Sequence, residues 1–161
     1  MHRNLTPAAL AMLLLAAGCA TLPPAPAAPG TVAIDEGPLS GWWDLEQVGR
    51  QRTEMAIWLS FDGEGSASGA IACNRWSGPY ALAAGTIDYG DNIIITTGGC
   101  HPRFANRELT GRAEETLWRH DAAYLSDDGN FLYLDGQDRL VFRRTTEAAI
   151  LQTDRQTRNA R

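Results

Sequence analysis

Few residues in this chain could do covalent or metal chemistry: the cysteines Cys19, Cys73 and Cys100, with His101 beside the last of them and His120 farther on. A thiolate is a nucleophile, a metal ligand and half of a disulfide, so each cysteine is open to three readings. Cys73 and Cys100 enclose a loop of about 28 residues, whose closure by a bridge would constrain the unfolded chain by roughly 3 to 4 kcal/mol. Two unbridged thiols are a second reading. A metal site built from both cysteines and His101 is a third, without CxxC spacing or an evident fourth ligand. Thiol catalysis would need His101 or His120 as base, and nothing in the spacing puts either beside a sulfur. The sequence carries no Ser/His/Asp signature, phosphate-binding loop or HExxH motif, so the expectation is a protein without enzymatic activity and without a cofactor.

Cys19 stands apart because of what precedes it. His2 and Arg3 open a short basic segment, and Ala8 to Ala17 is an apolar run that includes Leu10, Met12, Leu13, Leu14 and Leu15. The run is too short to span a bilayer, which takes about 20 apolar residues. A basic start, a core of this length and small residues before a break form a secretory signal peptide. The break, Leu15-Ala16-Ala17-Gly18-Cys19, resembles the lipobox of bacterial lipoproteins, although that family prefers Leu, Val or Ile where Ala16 stands. The resemblance implies a signal peptide over 1–18, cleavage after Gly18 and an acylated Cys19 that ties the mature chain to a membrane. With Ala20 next, rather than Asp, it implies the outer membrane, facing the periplasm.

The elements that position the remaining residues follow from composition. Residues 19–40 turn to proline, alanine and glycine, with Pro23-Pro24, Pro26, Pro29 and Pro38, and read as a tether that could reach roughly 60 Å. At the other end, 145–161 is polar and reads as a disordered tail. Between them, 41–144 is a single small domain. The formal charge of -5, made one unit more acidic by loss of Arg3, together with the lack of a basic cluster, argues against nucleic acid as a partner.

Within 41–144, short apolar stretches alternate with turn signals in the manner of an antiparallel sheet: Trp43 to Val48, Ala56 to Phe61, Ser66 to Ala72, Gly78 to Ala83, Ile93 to Thr97, Tyr124 to Ser126, Phe131 to Leu134 and Leu140 to Arg143. Asp62-Gly63-Glu64-Gly65 predicts a hairpin, and Asp128-Gly129-Asn130 and Asp135-Gly136-Gln137-Asp138 read as plain turns rather than calcium loops. Ala105, Leu109, Ala113 and Leu117 fall four apart and predict one helix from Pro102 to about Arg119, with Glu108–Arg112 and Glu115–Arg119 as i, i+4 pairs. Trp42, Trp43, Trp58 and Trp118 read as core. Asn74 is expected to cap a turn, while Arg75 and Trp76 are the candidate partner-binding residues, since Arg and Trp are favoured at interface hot spots.

Trp43-Asp44-Leu45, Gly69 through Ala72-Cys73-Asn74-Arg75 to Gly78-Pro79-Tyr80, Thr96 to Cys100 and Leu132-Tyr133-Leu134 together resemble the META domain of HslJ-like bacterial lipoproteins. Ala72 stands where that family commonly has Gly, and Gly98-Gly99 where it commonly has Met-Ala. The resemblance implies an α+β fold, a curved antiparallel β-sheet of about eight strands wrapped around a single α-helix. It implies no established enzymatic activity, and links to envelope stress and drug tolerance. Compartment, parity and this resemblance together lead to a Cys73–Cys100 disulfide as the expectation. The function expected is that of a membrane-tethered binding or stabilising module with an envelope protein as partner. The alternative is a carrier or pilot that holds a lipid or small apolar ligand inside the curved sheet.

Overall fold

Alternation of inward apolar and outward polar residues builds the longer strands of this chain. The computed structural model describes residues 30–34, 38–97 and 106–159. The strands are β1 (Thr31–Ala33), β2 (Gly41–Val48), β3 (Gln51–Arg52), β4 (Ile57–Phe61), β5 (Ser66–Ile71), β6 (Asn74–Pro79), β7 (Ala81–Ala83), β8 (Thr86–Asp88), β9 (Ile94–Ile95), β10 (Ala122–Ser126), β11 (Phe131–Asp135) and β12 (Arg139–Thr145). Two helices, α1 (Arg107–Trp118) and α2 (Glu147–Asn159), complete the described residues. Ten strands form one antiparallel sheet in the order β1-β10-β11-β12-β2-β4-β5-β6-β9, with β3 paired to β2, and β7–β8 is a separate hairpin. The sheet is open, with β1 and β9 at its edges.

One face of this sheet carries the main core: Trp43, Leu45 and Val48 of β2, Ile57, Leu59 and Phe61 of β4, and Leu132, Leu134, Leu140 and Phe142 of β11 and β12. Leu109, Ala113 and Leu117 of α1 join that core, as the four-residue stripe requires. Asn106 caps α1, its side chain accepting from the Leu109 N–H at 3.1 Å. The helix therefore begins at Arg107 among the described residues, whereas Pro102 and Ala105 lie outside them. Arg112 does not wait for Glu108: its guanidinium reaches Asp138 in the β11–β12 turn with bonds of 2.8 and 2.6 Å, tying α1 to the sheet.

The expected hairpin at Asp62 is present, and the carboxylate accounts for it by accepting from Glu64 N–H at 2.7 Å and Ser66 N–H at 2.9 Å. Asp128 uses its carboxylate in the same local way, accepting from Asn130 N–H at 3.0 Å and Ser126 Oγ at 2.5 Å, which pulls its pKa down to about 2.

Four expectations are corrected. The sheet has more than eight strands. The helix count is two among the described residues, because Glu147–Asn159, read from composition as a disordered tail, is helical and buries Ile150 against Trp58 and Ala70 on the face opposite the core. The folded part begins ahead of residue 41, because Thr31–Ala33 pairs with β10, and Ile34 and Leu39 are buried. Finally, the strand expected from Gly78 to Ala83 divides into β6, which begins at Asn74 paired with Ile71 across the two-residue turn Ala72-Cys73, and β7. Ala72 has φ +53°, a conformation that glycine adopts without steric cost, which is the physical reason glycine suits this position.

Candidate functional site

The residues singled out in sequence separate in space. Arg75 and Trp76 are adjacent on β6, and adjacent strand residues point to opposite faces. Trp76 is on the core face and only 3% exposed, with its ring over Gly69, its partner in register, where an added Cβ would sit 2.5 Å from the indole nitrogen. It is a packing residue and cannot present a partner surface, which corrects that assignment. Arg75 is on the opposite face, half-buried, with its guanidinium 5.4 Å from the centre of the Trp58 ring. Trp43 and Trp58 are buried as expected; Trp42 and Trp118 are half-buried against them and against Trp76.

Cys73 is solvent-exposed in the β5–β6 turn. Cys19, Cys100 and His101 lie outside the described residues. His120 is a strut: its Nδ1 lies 3.1 Å from the Leu117 carbonyl and its Nε2 accepts the Ile87 N–H at 3.0 Å. Only the neutral ring, protonated on Nδ1, satisfies both bonds, and burial lowers its pKa accordingly.

What the sequence did not flag is the ridge Arg52–Met55, which follows β3 and separates two clefts. It is fastened at three points. The Thr53 N–H donates to the Glu46 carbonyl at 2.9 Å, the Met55 N–H to Thr53 Oγ1 at 3.0 Å, and Thr110 Oγ1 of α1 to Met55 Sδ at 3.3 Å. On one side, a cleft of about 450 Å³ runs between the ridge, Ala72, Cys73 and the start of α1 at Asn106 and Leu109. On the other, a cleft of about 540 Å³ is bounded by Asp44 and Glu46 of β2, Arg143 of β12 and Thr153 of α2. The Arg143 guanidinium pairs with the Glu46 carboxylate. Burial pushes Asp44 from the usual 3.8 up to about 6, against the pull of Arg143 and with the push of Glu46. Near neutral pH, the second cleft therefore holds a carboxyl that exchanges its proton, an ion pair and the exposed carboxylate of Glu54. Such a set can bind polar or charged groups by hydrogen bonding and charge. Among the described residues no cluster of His, Cys, Asp and Glu is arranged to hold a metal ion.

The profile of one family, the META domain, matches residues 37–147. The chain belongs to the META domain family. The match starts ahead of β2 and reaches the first residue of α2. Among solved structures, the NMR structure of a protein from Burkholderia xenovorans is similar in fold, with a TM-score of 0.53 at 24% identity over 67% of this chain and 83% of that one. No curated protein matches the chain.

Proposed function

We propose that this META domain protein is a membrane-tethered, non-enzymatic lipoprotein of the bacterial envelope that binds a protein partner through the clefts beside Arg52–Met55. The observation that carries the proposal is where the space lies. The core face of the sheet is filled by its own side chains and by α1, with Trp43, Leu59, Leu132, Leu134, Leu140 and Phe142 all 0% exposed. Among the described residues, open volume lies beside the Arg52–Met55 ridge and its charged neighbours. A carrier would need an apolar hollow in the filled region, so the binding module is the better reading of the two. Asp44 supports it further: a carboxyl held in its less stable state lowers folding stability near neutral pH, a cost expected at functional positions. The anchor in this reading is acylated Cys19 at the outer membrane, with a Cys73–Cys100 bridge fastening the wall of the first cleft. The family's links to envelope stress suggest the setting.

Site-specific photocrosslinking in living cells tests the proposal. A crosslinking residue at exposed Glu54 should give discrete protein adducts that the same residue at exposed Asp127 does not. Absence of adducts at position 54 that are missing at 127, together with a lipid that co-purifies with the intact protein in native mass spectrometry, would favour the carrier.

A further inference from the structure

Among the described strands, exposed apolar side chains gather at two places, the β7–β8 hairpin and β9 at the far edge of the sheet, where Ile94 and Ile95 are exposed. Ala81, Leu82, Ala83 and Ala84 are all exposed, Leu82 to 37%, and Ala81 to Ile87 contains no charged residue. Its turn is Ala84-Gly85, with φ of +51° and +77°, the two-residue turn that brings positive φ to both central positions. Asn is favoured at the first of these positions because its short polar side chain tolerates that conformation. This chain instead carries a methyl group there, in a strained backbone and facing solvent.

The hairpin's place in the fold says what it faces. The Gly85 carbonyl accepts the Ala123 N–H of β10 at 2.7 Å. One side of β10 is occupied by β11 throughout, so this bond lies on the side that β1 takes up from Tyr124 onward. The chain joins that same edge at Gly30, whose carbonyl accepts the Asp127 N–H at 3.1 Å. From Ala123 to Asp127 is four residues of strand, roughly 13 Å. The segment from Cys19 to Gly30 spans at most roughly 34 Å as an extended polyproline-like chain. An anchor at Cys19 would therefore keep this edge of the sheet, and the hairpin with it, within roughly 34 Å of the lipid, whereas β9 lies at the opposite edge.

We infer that Ala81–Gly85 is a second, shallow membrane contact that rests its apolar tip in the headgroup region and sets the orientation of the tethered domain. The inference rests on the reading of Cys19 as acylated. A contact of this size is weak alone, but a tether converts it into an intramolecular event at high local lipid concentration. The absence of charge at the tip matters because Asp88 at its base, in register with Ala81, would be repelled by anionic headgroups if buried more deeply.

The test uses the lipid-bearing chain purified from membranes and reconstituted in vesicles of phosphatidylethanolamine with a minor share of phosphatidylglycerol. Hydrogen–deuterium exchange of the hairpin is compared with that of the Cys19→Ser chain in solution. Ala83–Thr86 amides should exchange about tenfold or more slowly in vesicles, the effect of removing a leucine and several methyl groups from water. Leu82→Asp should abolish the difference. Ala84→Asn, which suits the turn and so keeps the hairpin folded, should reduce it. Equal exchange in vesicles and in solution would overturn the inference, as would protection seen only in native membranes, which would assign the hairpin to a protein partner. Failure of the chain to stay with the vesicles at all would instead overturn the acylation of Cys19.

Discussion

The Arg144 guanidinium lies 4.2 Å from the centre of the Trp43 ring and closes the end of the core. From that position it donates to three carbonyls: Gly129 at 2.7 Å, Ser40 at 2.8 Å and Pro38 at 2.7 Å. Trp43 Nε1 donates to a fourth, Leu39, at 2.9 Å. The pair thus pins residues 38–40, the last part of the segment read as tether, to the body of the domain. Arg144→Met should destabilise the domain by about 1 to 3 kcal/mol, because charged hydrogen bonds are lost while the carbonyls keep partial access to water. Arg144→Lys should recover only part of this, since one ammonium cannot span three acceptors. Chemical denaturation of the three proteins checks both statements, and equal midpoints would refute the clamp.

Among the described side chains of the second helix, Ile150 is the buried one. Ile150 is 3% exposed against Trp58, Ala70 and Trp42, while Leu151 beside it is 41% exposed. Ile150→Ala should cost about 2 kcal/mol, the low end for a buried aliphatic truncation, because the cluster is small. Removing residues 146–161 should expose Trp42 and Trp58 and shift tryptophan emission to the red. Unchanged emission and stability would mean that the helix does not dock in solution.

Two groups give stability opposite dependences on pH. His120 has a lowered pKa in the fold, so its contribution is present above its unfolded value of about 6.5 and is lost as the pH falls. Asp44 is raised from 3.8 to about 6, so the folded protein keeps a proton that the unfolded chain has lost, and stability falls as pH rises through that window. Asp44→Asn should therefore be more stable than the parent at pH above 6, with the advantage fading toward pH 4. Unfolding curves across that range decide it, and a constant offset at every pH would show that Asp44 does not titrate between the two states.

Much of this architecture is legible in the sequence where one face of an element repeats. Trp43, Leu45 and Val48 announce β2, Leu109, Ala113 and Leu117 announce α1, and Asp62-Gly63 announces its hairpin, because each signal is local. The elements that escape are those whose burial is tertiary. β1 and α2 each bury few apolar side chains, with Ile34 just after β1 and Ile150 in α2, too few to create a period. β6 begins Asn74-Arg75 and ends Gly78-Pro79, residue types that signal turns, and its place is fixed by pairing along β5. The charged cleft escapes for the same reason. Asp44 alternates with Trp43 and Leu45 as any solvent-facing carboxylate would, and the Arg52–Met55 ridge, Arg143 and Thr153, brought by other parts of the chain, convert that position into a recess.

The expected Cys73–Cys100 bridge makes a sharp claim about thiol number. The denatured, oxidised mature protein with Cys19 acylated should present no titratable thiol, and Cys100→Ser should lower stability by about 2 to 5 kcal/mol under oxidising conditions. Reduction of the parent should reproduce that loss. Two titratable thiols would exclude the bridge.

Tethering at Cys19 is the claim on which the proposed function most depends, and membrane fractionation with mass analysis of the mature N-terminus tests it most directly. The parent should sediment with membranes and begin at a Cys19 that carries the mass of its acyl chains, and Cys19→Ser should move to the soluble fraction. A Cys19→Ser protein that still sediments with membranes, or a mature parent whose N-terminus lies elsewhere, would contradict it.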